Sequence, residues 1–386
     1  MDFTLSAEHR MLKEMMARFS DQEVGPIAEE IDHKDHIPEE IWKKLGELGV
    51  MGANVPPEFG GAGMDVLSSV IIMEELSRTS PAVALSWLAH SILCVNNICE
   101  HATDEQRQKW LPKLCSGEWI GCMALTEPGA GSDAVGITTT SRQDGDSWLL
   151  NGAKTFITNA PIADVALVYT KSKKERGSRG ITAFIVDTKT PGFTISKKIE
   201  KMGHRGSPTG EITFEDCRVP AANLLGEENH GISIMMKGLD VERTVIAGGP
   251  VGIAQQGLDL SIKYAKEREQ FGRALATFQM IQAKIADMYT ETEAARLMVY
   301  KAAVLAQESK RGGKGTEIHK LAAAAVLYAA EMAERVALDA IQIHGGYGYT
   351  LEYAANRLLR DAKLYTIGAG TSEVRRLVVA RELLGM

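Results

Sequence analysis

The spacing of apolar residues changes twice along the chain. Residues 6–116 are mainly helical in pattern. Between positions 6 and 24 apolar residues fall at three- and four-residue intervals, with Glu and Lys between them. Gly25-Pro26 breaks that stretch. The turn-rich run Val55-Pro56-Pro57-Glu58-Phe59-Gly60-Gly61 interrupts again, and a further helix is expected over about 66–77. Between about 119 and 226 the period shortens. Positions 165–169 and 181–186 are short apolar runs rich in β-branched and aromatic residues, and Ile212 and Phe214 alternate with polar neighbours. From His230 the helical period returns, in long segments near 231–268, 278–310 and 316–343. Gly312-Gly313-Lys314-Gly315 separates the last two, and Thr316 stands where it can cap the third. Pro250, after Gly248-Gly249, either kinks or splits the first segment. The expected fold is α+β and mainly α: an N-terminal helical domain (1–118), a middle antiparallel β domain (119–228) and a C-terminal four-helix bundle (229–386).

Composition narrows the function. A chain of 386 residues is too long for one ordinary core, and 45% hydrophobic with 24% charged residues suits a folded soluble protein. A net charge of −7 argues against a nucleic-acid partner, since phosphate binding needs a basic surface. The one basic cluster, 171–179, reads equally as a solvated hairpin tip or a phosphate contact. The five cysteines (Cys94, Cys99, Cys115, Cys122, Cys217) are odd in number and form no CxxC pair. They fit reduced thiols and supply no metal framework, so no metal is expected. Residues 1–20 carry charges throughout, which argues against a signal peptide, and no apolar run is expected to reach the length of a membrane span. A cytoplasmic, bacterial protein is expected.

Five segments carry candidate chemistry. Thr126-Glu127-Pro128-Gly129-Ala130-Gly131-Ser132-Asp133 is a tight loop whose free amides and hydroxyls suit a pyrophosphate or the polar edge of a flavin; it reads equally as a plain turn stabilised by Glu127 and Asp133. Lys154-Thr155-Phe156-Ile157-Thr158-Asn159 offers an aromatic face between hydroxyls on a strand, for stacking on a planar ring or for simple burial. Arg268-Glu269-Gln270-Phe271-Gly272 with Phe278-Gln279 places an arginine and amides at a helix end, suited to a diphosphate or to solvent. Gln342-Ile343-His344-Gly345-Gly346 permits close backbone approach, with His344 more readily structural than catalytic. Ile367-Gly368-Ala369-Gly370-Thr371-Ser372-Glu373 opens the last helix, whose amides can face an anion or a thioester oxygen, with Thr371 or Ser372 as a cap.

Taken together and in this order, these segments resemble the acyl-CoA dehydrogenase family over nearly the whole chain, from Asp2 to Leu384. The resemblance implies FAD as cofactor, an acyl-CoA substrate, electron-transfer flavoprotein as partner and a homotetramer. It places Met123, Leu125, Thr126, Gly131, Ser132, Phe156, Ile157 and Thr158 at the flavin and pyrophosphate. Arg268, Gln270, Phe271, Gln279, Gln342, Gly345 and Gly346 would come from a neighbouring subunit to the adenosine half. Thr371, Ser372 and Glu373 would lie beside the diphosphate. Ser132, Ser178, Arg179, Asp240, Arg243, Gly368, Ala369 and Gly370 are implied at CoA or the acyl group.

The reaction needs a carboxylate at the substrate α-carbon. Most of the family carries it immediately before the Gly-Thr of the last motif, where this chain has Ala369. Gly238-Leu239-Asp240-Val241-Glu242-Arg243 offers a substitute and is similar to the isovaleryl-CoA dehydrogenase branch, which shares the run at 368–376. Glu242 is therefore expected to be the base; the opposing reading is a solvated neighbour of Arg243. A backbone amide near Ala369 and a flavin ribityl hydroxyl would hold the thioester carbonyl. Glycine at 368, where many straight-chain members carry a bulky aromatic, implies a short branched acyl-CoA of isovaleryl type. Trp87 departs from that branch and leaves a cyclic, cyclohexanecarboxyl-type substrate open. Glutaryl-type substrates are disfavoured, because the basic residue those relatives use has no counterpart. An acyl-CoA oxidase, an enoyl-CoA reductase and a non-catalytic FAD-binding factor are the competing functions.

Overall fold

The computed structural model describes residues 4–309 and 313–386. Helices α1 (Ala7–Phe19), α2 (Ala28–Lys34), α3 (Glu39–Glu47), α4 (Val66–Thr79), α5 (Pro81–Leu88), α6 (Asn97–His101) and α7 (Asp104–Cys115) come first. Local signals set their ends. Ser6 caps α1 by accepting from His9 N, and Asp65 caps α4 by accepting from Ser68 N. Ser80 caps α5 with Pro81 at its first position, and Thr103 with Gln106 closes a capping box on α7. After α1 the chain loosens through a π turn and a 3₁₀ turn at Gly25-Pro26.

Helix α5 continues through a π-helical segment, Ala89–Asn96, into α6. This Pro81–His101 span corrects one expectation. At 21 residues and a mean hydropathy of 1.5 it is long and apolar enough to cross a membrane, yet 89% of its apolar window is buried inside the protein. It is apolar because it is a core helix surrounded on all sides. Trp87 lies within it, fully buried, with Nε1 donating to the Val50 carbonyl at 2.9 Å, which is a packing role.

The middle of the chain forms β1 (Gly121–Ala124), β2 (Thr140–Asp144), β3 (Ser147–Thr158), β4 (Val165–Lys171), β5 (Ile181–Asp187), β6 (Phe193–Lys198), β7 (Thr209–Pro220) and β8 (Leu224–Leu225). The sheet order is β6-β7-β3-β2-β4-β5-β8, with β1 beside β4. Pairing is antiparallel except where β4 runs parallel to β1 and to β2. Strands β4 and β5 read as continuous apolar runs because both faces are covered. Leu167, Tyr169, Ile181 and Ile185 pack on the helical residues Cys94, Val95, Ile98 and Met235, while Val168 and Phe184 pack with Trp148 and Phe214.

The remainder is helical: α8 (Gly231–Ile246), α9 (Gly248–Glu267), a hairpin of β9 (Glu269–Gln270) and β10 (Arg273–Ala274), then α10 (Gln279–Glu308), α11 (Glu317–His344), α12 (Ala354–Ala362) and α13 (Ser372–Leu384). Pro250 splits rather than kinks the first segment. The chain breaks at Ala247, and Pro250 falls in the first turn of α9, where no intrahelical bond needs its missing N–H. Thr316 caps α11 by accepting from His319 N at 3.3 Å.

Candidate functional site

The loop after β1 is held from below by a buried ion pair. Lys154, on β3, is fully buried and donates to Glu127 Oε1 at 2.8 Å and to the Leu125 carbonyl at 3.0 Å. Glu127 also accepts from Thr138 N (2.6 Å), Thr138 Oγ1 (2.8 Å) and Thr139 N (3.0 Å). Burial alone would raise the Glu127 carboxyl, but the Lys154 charge and these donors overcome it and bring it down to about 2. Burial brings the Lys154 ammonium down to about 8, against the pull of Glu127. Glu127 is therefore a turn-stabilising carboxylate and not a base. Thr155 N donates to the Thr126 carbonyl at 2.9 Å, so three bonds pin residues 125–127 to β3.

That pinning leaves a face open for a planar ligand. The β3–β7 ladder slips register between Lys154 and Ile157, and Phe156 sits in the bulge with φ +57°. The bulge re-aims its ring outward, 65% exposed, while Ile157 turns into the sheet core. Positive φ at a phenylalanine is strained, as at many ligand sites. Gly129 and Gly131 have nothing within 4 Å of where a Cβ would stand, so the loop faces open space. Thr126 and Thr158 are half-buried and Ser132 is exposed. An exposed aromatic plane beside hydroxyls and an open glycine loop fits a flavin.

Glu242 lies on α8 and is 6% exposed, which removes the solvated reading. Its Oε2 is buried without a hydrogen-bond partner among the described residues. Burial pushes the carboxyl up to about 7, against the lowering influence of Arg243 and Arg375. Tyr169 on β4 faces the same region. Its buried hydroxyl also has no partner among the described residues, and burial, with Cys94 and Glu242 nearby, raises its pKa. A carboxyl held near neutrality and left unpaired is suited to accept a proton from a ligand.

The segment before α13 is tied to this region through Arg375, whose charge acts on Glu242. Ala369 takes φ +55° between Gly368 and Gly370, and Gly370 itself has φ +94°. Arg375 is 1% exposed and reaches back to this segment, donating to the Tyr365 carbonyl at 2.6 Å and the Gly368 carbonyl at 2.5 Å. Thr371 caps α13 by accepting from Val374 N at 3.3 Å; Ser372 is buried and Glu373 exposed. At Gly368 a Cβ would meet Leu364 at ordinary contact distance, 3.5 Å or more, so the small residue leaves usable space.

Other expected residues distribute more widely. Asp240 is 2% exposed and bonded internally: Oδ1 to His319 Nδ1 (2.7 Å) and Arg243 (3.4 Å), Oδ2 to Gly313 N (2.5 Å). In this structure it organises the turn into α11. Ser178 and Arg179 sit on the β4–β5 connection, which lies against α8. Arg268, Gln270, Gly345 and Gly346 do converge, on a surface cavity of ≈ 520 Å³ with Tyr264 and Tyr347. No residue of the 126–133 loop or of β3 lines it. Phe271 (φ +54°) and Gly272 (φ +75°) form the two-residue turn between β9 and β10, and the Phe271 ring is 93% exposed. Gln279 and Gln342 are exposed. His344 is structural, bonded to the Ala340 carbonyl at 2.7 Å and stacked on Tyr264 at 4.3 Å.

Sequence reasoning missed Lys154, Tyr169, His319 and Arg375 as parts of this arrangement. Lys154 had one available signal, a lysine in an otherwise strand-like run. No pattern marks the other three.

Models of the acyl-CoA dehydrogenase N-terminal, middle and C-terminal domains match residues 6–118, 122–217 and 229–384. The mitochondrial isovaleryl-CoA dehydrogenase of Pongo abelii is 49% identical over 98% of this chain and 89% of its own length. Butyryl-CoA dehydrogenase from Megasphaera elsdenii has a TM-score of 0.95 and 41% identity, with 100% of both chains covered. A chain from a structure of the electron transferring flavoprotein of Acidaminococcus fermentans gives 0.96 and 43%, again over 100% of both.

Proposed function

Because the chain belongs to the acyl-CoA dehydrogenase family, we propose that it oxidises a short branched acyl-CoA of isovaleryl type, with Glu242 taking the α-proton. The enzyme is an acyl-CoA dehydrogenase, and its cofactor is FAD. When bound, FAD supplies the two-electron acceptor for the hydride that leaves the substrate β-carbon. The residues that would hold it are Thr126, Ser132, Phe156 and Thr158.

One observation carries the assignment of the base: the unpartnered, buried oxygen of Glu242 in a site whose family position for a carboxylate is Ala369. The carboxylate form accepts the α-proton, and burial makes that proton acceptable near neutral pH. The Ala369 N–H, which has no partner among the described residues, donates to the thioester oxygen and stabilises the enolate-like charge. The space at Gly368 admits substituents at the β-carbon.

Two further parts of the reading concern partners. Electrons pass to an electron-transfer flavoprotein, as the likeness to the Acidaminococcus structure supports. The chain assembles as a homotetramer in which Arg268, Gln270 and Phe271 complete a neighbour's FAD site. In support, Phe271 stands 93% exposed on a hairpin tip, and the Arg268 cavity shares no residue with the Phe156 face. Anaerobic titration of the flavin with butyryl-, isovaleryl-, cyclohexanecarboxyl-, glutaryl- and octanoyl-CoA tests the substrate. Isovaleryl-CoA should bleach it with the highest kcat/KM; preference for octanoyl- or glutaryl-CoA would contradict the pocket argument.

A further inference from the structure

Arg375 is a buried cation that no carboxylate among the described residues neutralises by direct contact. Its side chain is 1% exposed, two of its nitrogens are spent on main-chain carbonyls, and its Nε has no partner among the described residues. Burying a guanidinium this way is costly, so its neighbours need an explanation. One acceptor is the Gly368 carbonyl, at 2.5 Å. That oxygen belongs to the peptide unit whose nitrogen is Ala369 N. In a trans peptide the C=O and N–H point in opposite directions, so a bond that fixes the oxygen fixes the direction of the Ala369 N–H. The second acceptor, Tyr365 O at 2.6 Å, anchors the guanidinium to the other end of the same segment. Ala369 holds φ +55° inside this clamp, a conformation that surrounding structure must enforce at a residue with a Cβ.

We infer that Arg375 is a positioning residue for catalysis: by clamping the Gly368 and Tyr365 carbonyls it aims the Ala369 N–H at the thioester oxygen of the substrate, facing Glu242. This rests on the reading of the chain as an acyl-CoA dehydrogenase with Glu242 as base. The clamp also sets the electrostatics of the base. The charged and titratable groups around Glu242 are Arg243 on α8, Arg375 on α13 and Tyr169 on β4, with Glu331 of α11 acting on Arg375. Arg375 favours the carboxylate form of Glu242. Without it the base requires a higher pH to ionise.

The test uses the FAD-loaded full chain and two variants, Arg375→Met, which removes charge and donors, and Arg375→Lys, which keeps the charge. In a Glu242→Gln background, which cannot turn over, ¹³C-edited infrared difference spectra of bound isovaleryl-CoA report polarisation of the thioester carbonyl. The carbonyl stretch should shift down on binding, and Arg375→Met should abolish at least half of that shift. With Glu242 intact, Arg375→Met should slow flavin reduction by at least ~10-fold, as expected for weakening one preorganised donor, while substrate affinity changes by less than ~3-fold. Its acid limb should move to higher pH, and Arg375→Lys should restore the limb. An Arg375→Met enzyme that holds FAD with the parental carbonyl shift and reduction rate would overturn the proposal. Loss of FAD or of the fold in both variants would also overturn it, by assigning Arg375 to stability alone. If the parent flavin is not reduced by any acyl-CoA, the functional reading itself fails. If the parent is reduced and the variants match it, only the positioning role fails.

Discussion

Glu242 should impose its own titration on the rate of flavin reduction. Its carboxyl is raised from 4.5 to about 7 by burial, and only the carboxylate can accept the α-proton. About one tenth of the sites are ionised at pH 6, half at pH 7 and nine tenths at pH 8, so the second-order rate of reduction should rise about fivefold from pH 6 to 7 and about twofold from pH 7 to 8. Anaerobic stopped-flow at limiting substrate reads this directly, because that rate constant reports the free enzyme. The same shift has a consequence for stability. Between 4.5 and 7 the folded protein binds this proton more tightly than the unfolded chain does, so unfolding releases it and stability falls as pH rises. By pH 8 the ionised, buried Glu242 costs about 3 kcal/mol. Glu242→Gln removes that cost and should raise the unfolding temperature at pH 8, with little effect near pH 4.5. A rate that is flat from pH 5.5 to 8.5, or one with its midpoint near 4.5, would refute the reasoning. So would a Glu242→Gln protein no more stable than its parent at pH 8.

Three other perturbations follow from the same geometry. Lys154→Met leaves Glu127 buried without its cation and frees the Leu125 carbonyl; it should cost about 3 kcal/mol and weaken FAD retention, measured by thermal unfolding and flavin release. Arg268→Ala should reduce FAD occupancy and shift the assembly state in light scattering, and a monomer with stoichiometric FAD would contradict the shared site. A Cβ at Gly368 meets Leu364 only at ordinary contact distance, so Gly368→Tyr should fold and retain butyryl-CoA activity while losing kcat/KM for isovaleryl-CoA far more strongly, as steady-state kinetics would show.

The fold was legible because periodicity carries it. The short apolar, β-branched runs at 165–169 and 181–186 became β4 and β5, and the break at Gly248-Gly249-Pro250 became the boundary between α8 and α9. The parallel placement of β4 beside β1 was not legible, since it depends on how distant strands return to the sheet and not on any turn signal. The sequence offers no obvious apolar run of membrane length, yet the span Pro81–His101 has it. Its length appears only when α5 and α6 are seen joined by a π-helical segment, and its burial only in three dimensions. At the site, Glu242 stood out as a candidate base through the family resemblance, which expects a carboxylate where this chain has Ala369. Arg375 did not, because an arginine next to Arg376 on a helix reads as solvated until its side chain is seen folded back on the Gly368 carbonyl.

Glu242 is proposed as the proton acceptor of this acyl-CoA dehydrogenase. Anaerobic reduction of the bound flavin by isovaleryl-CoA, compared between the parent and Glu242→Gln, tests it most directly. The variant should keep FAD and bind the thioester but reduce its flavin at least ~10²-fold more slowly, the usual loss when a general base is removed. Reduction of the variant at close to the parental rate would contradict it.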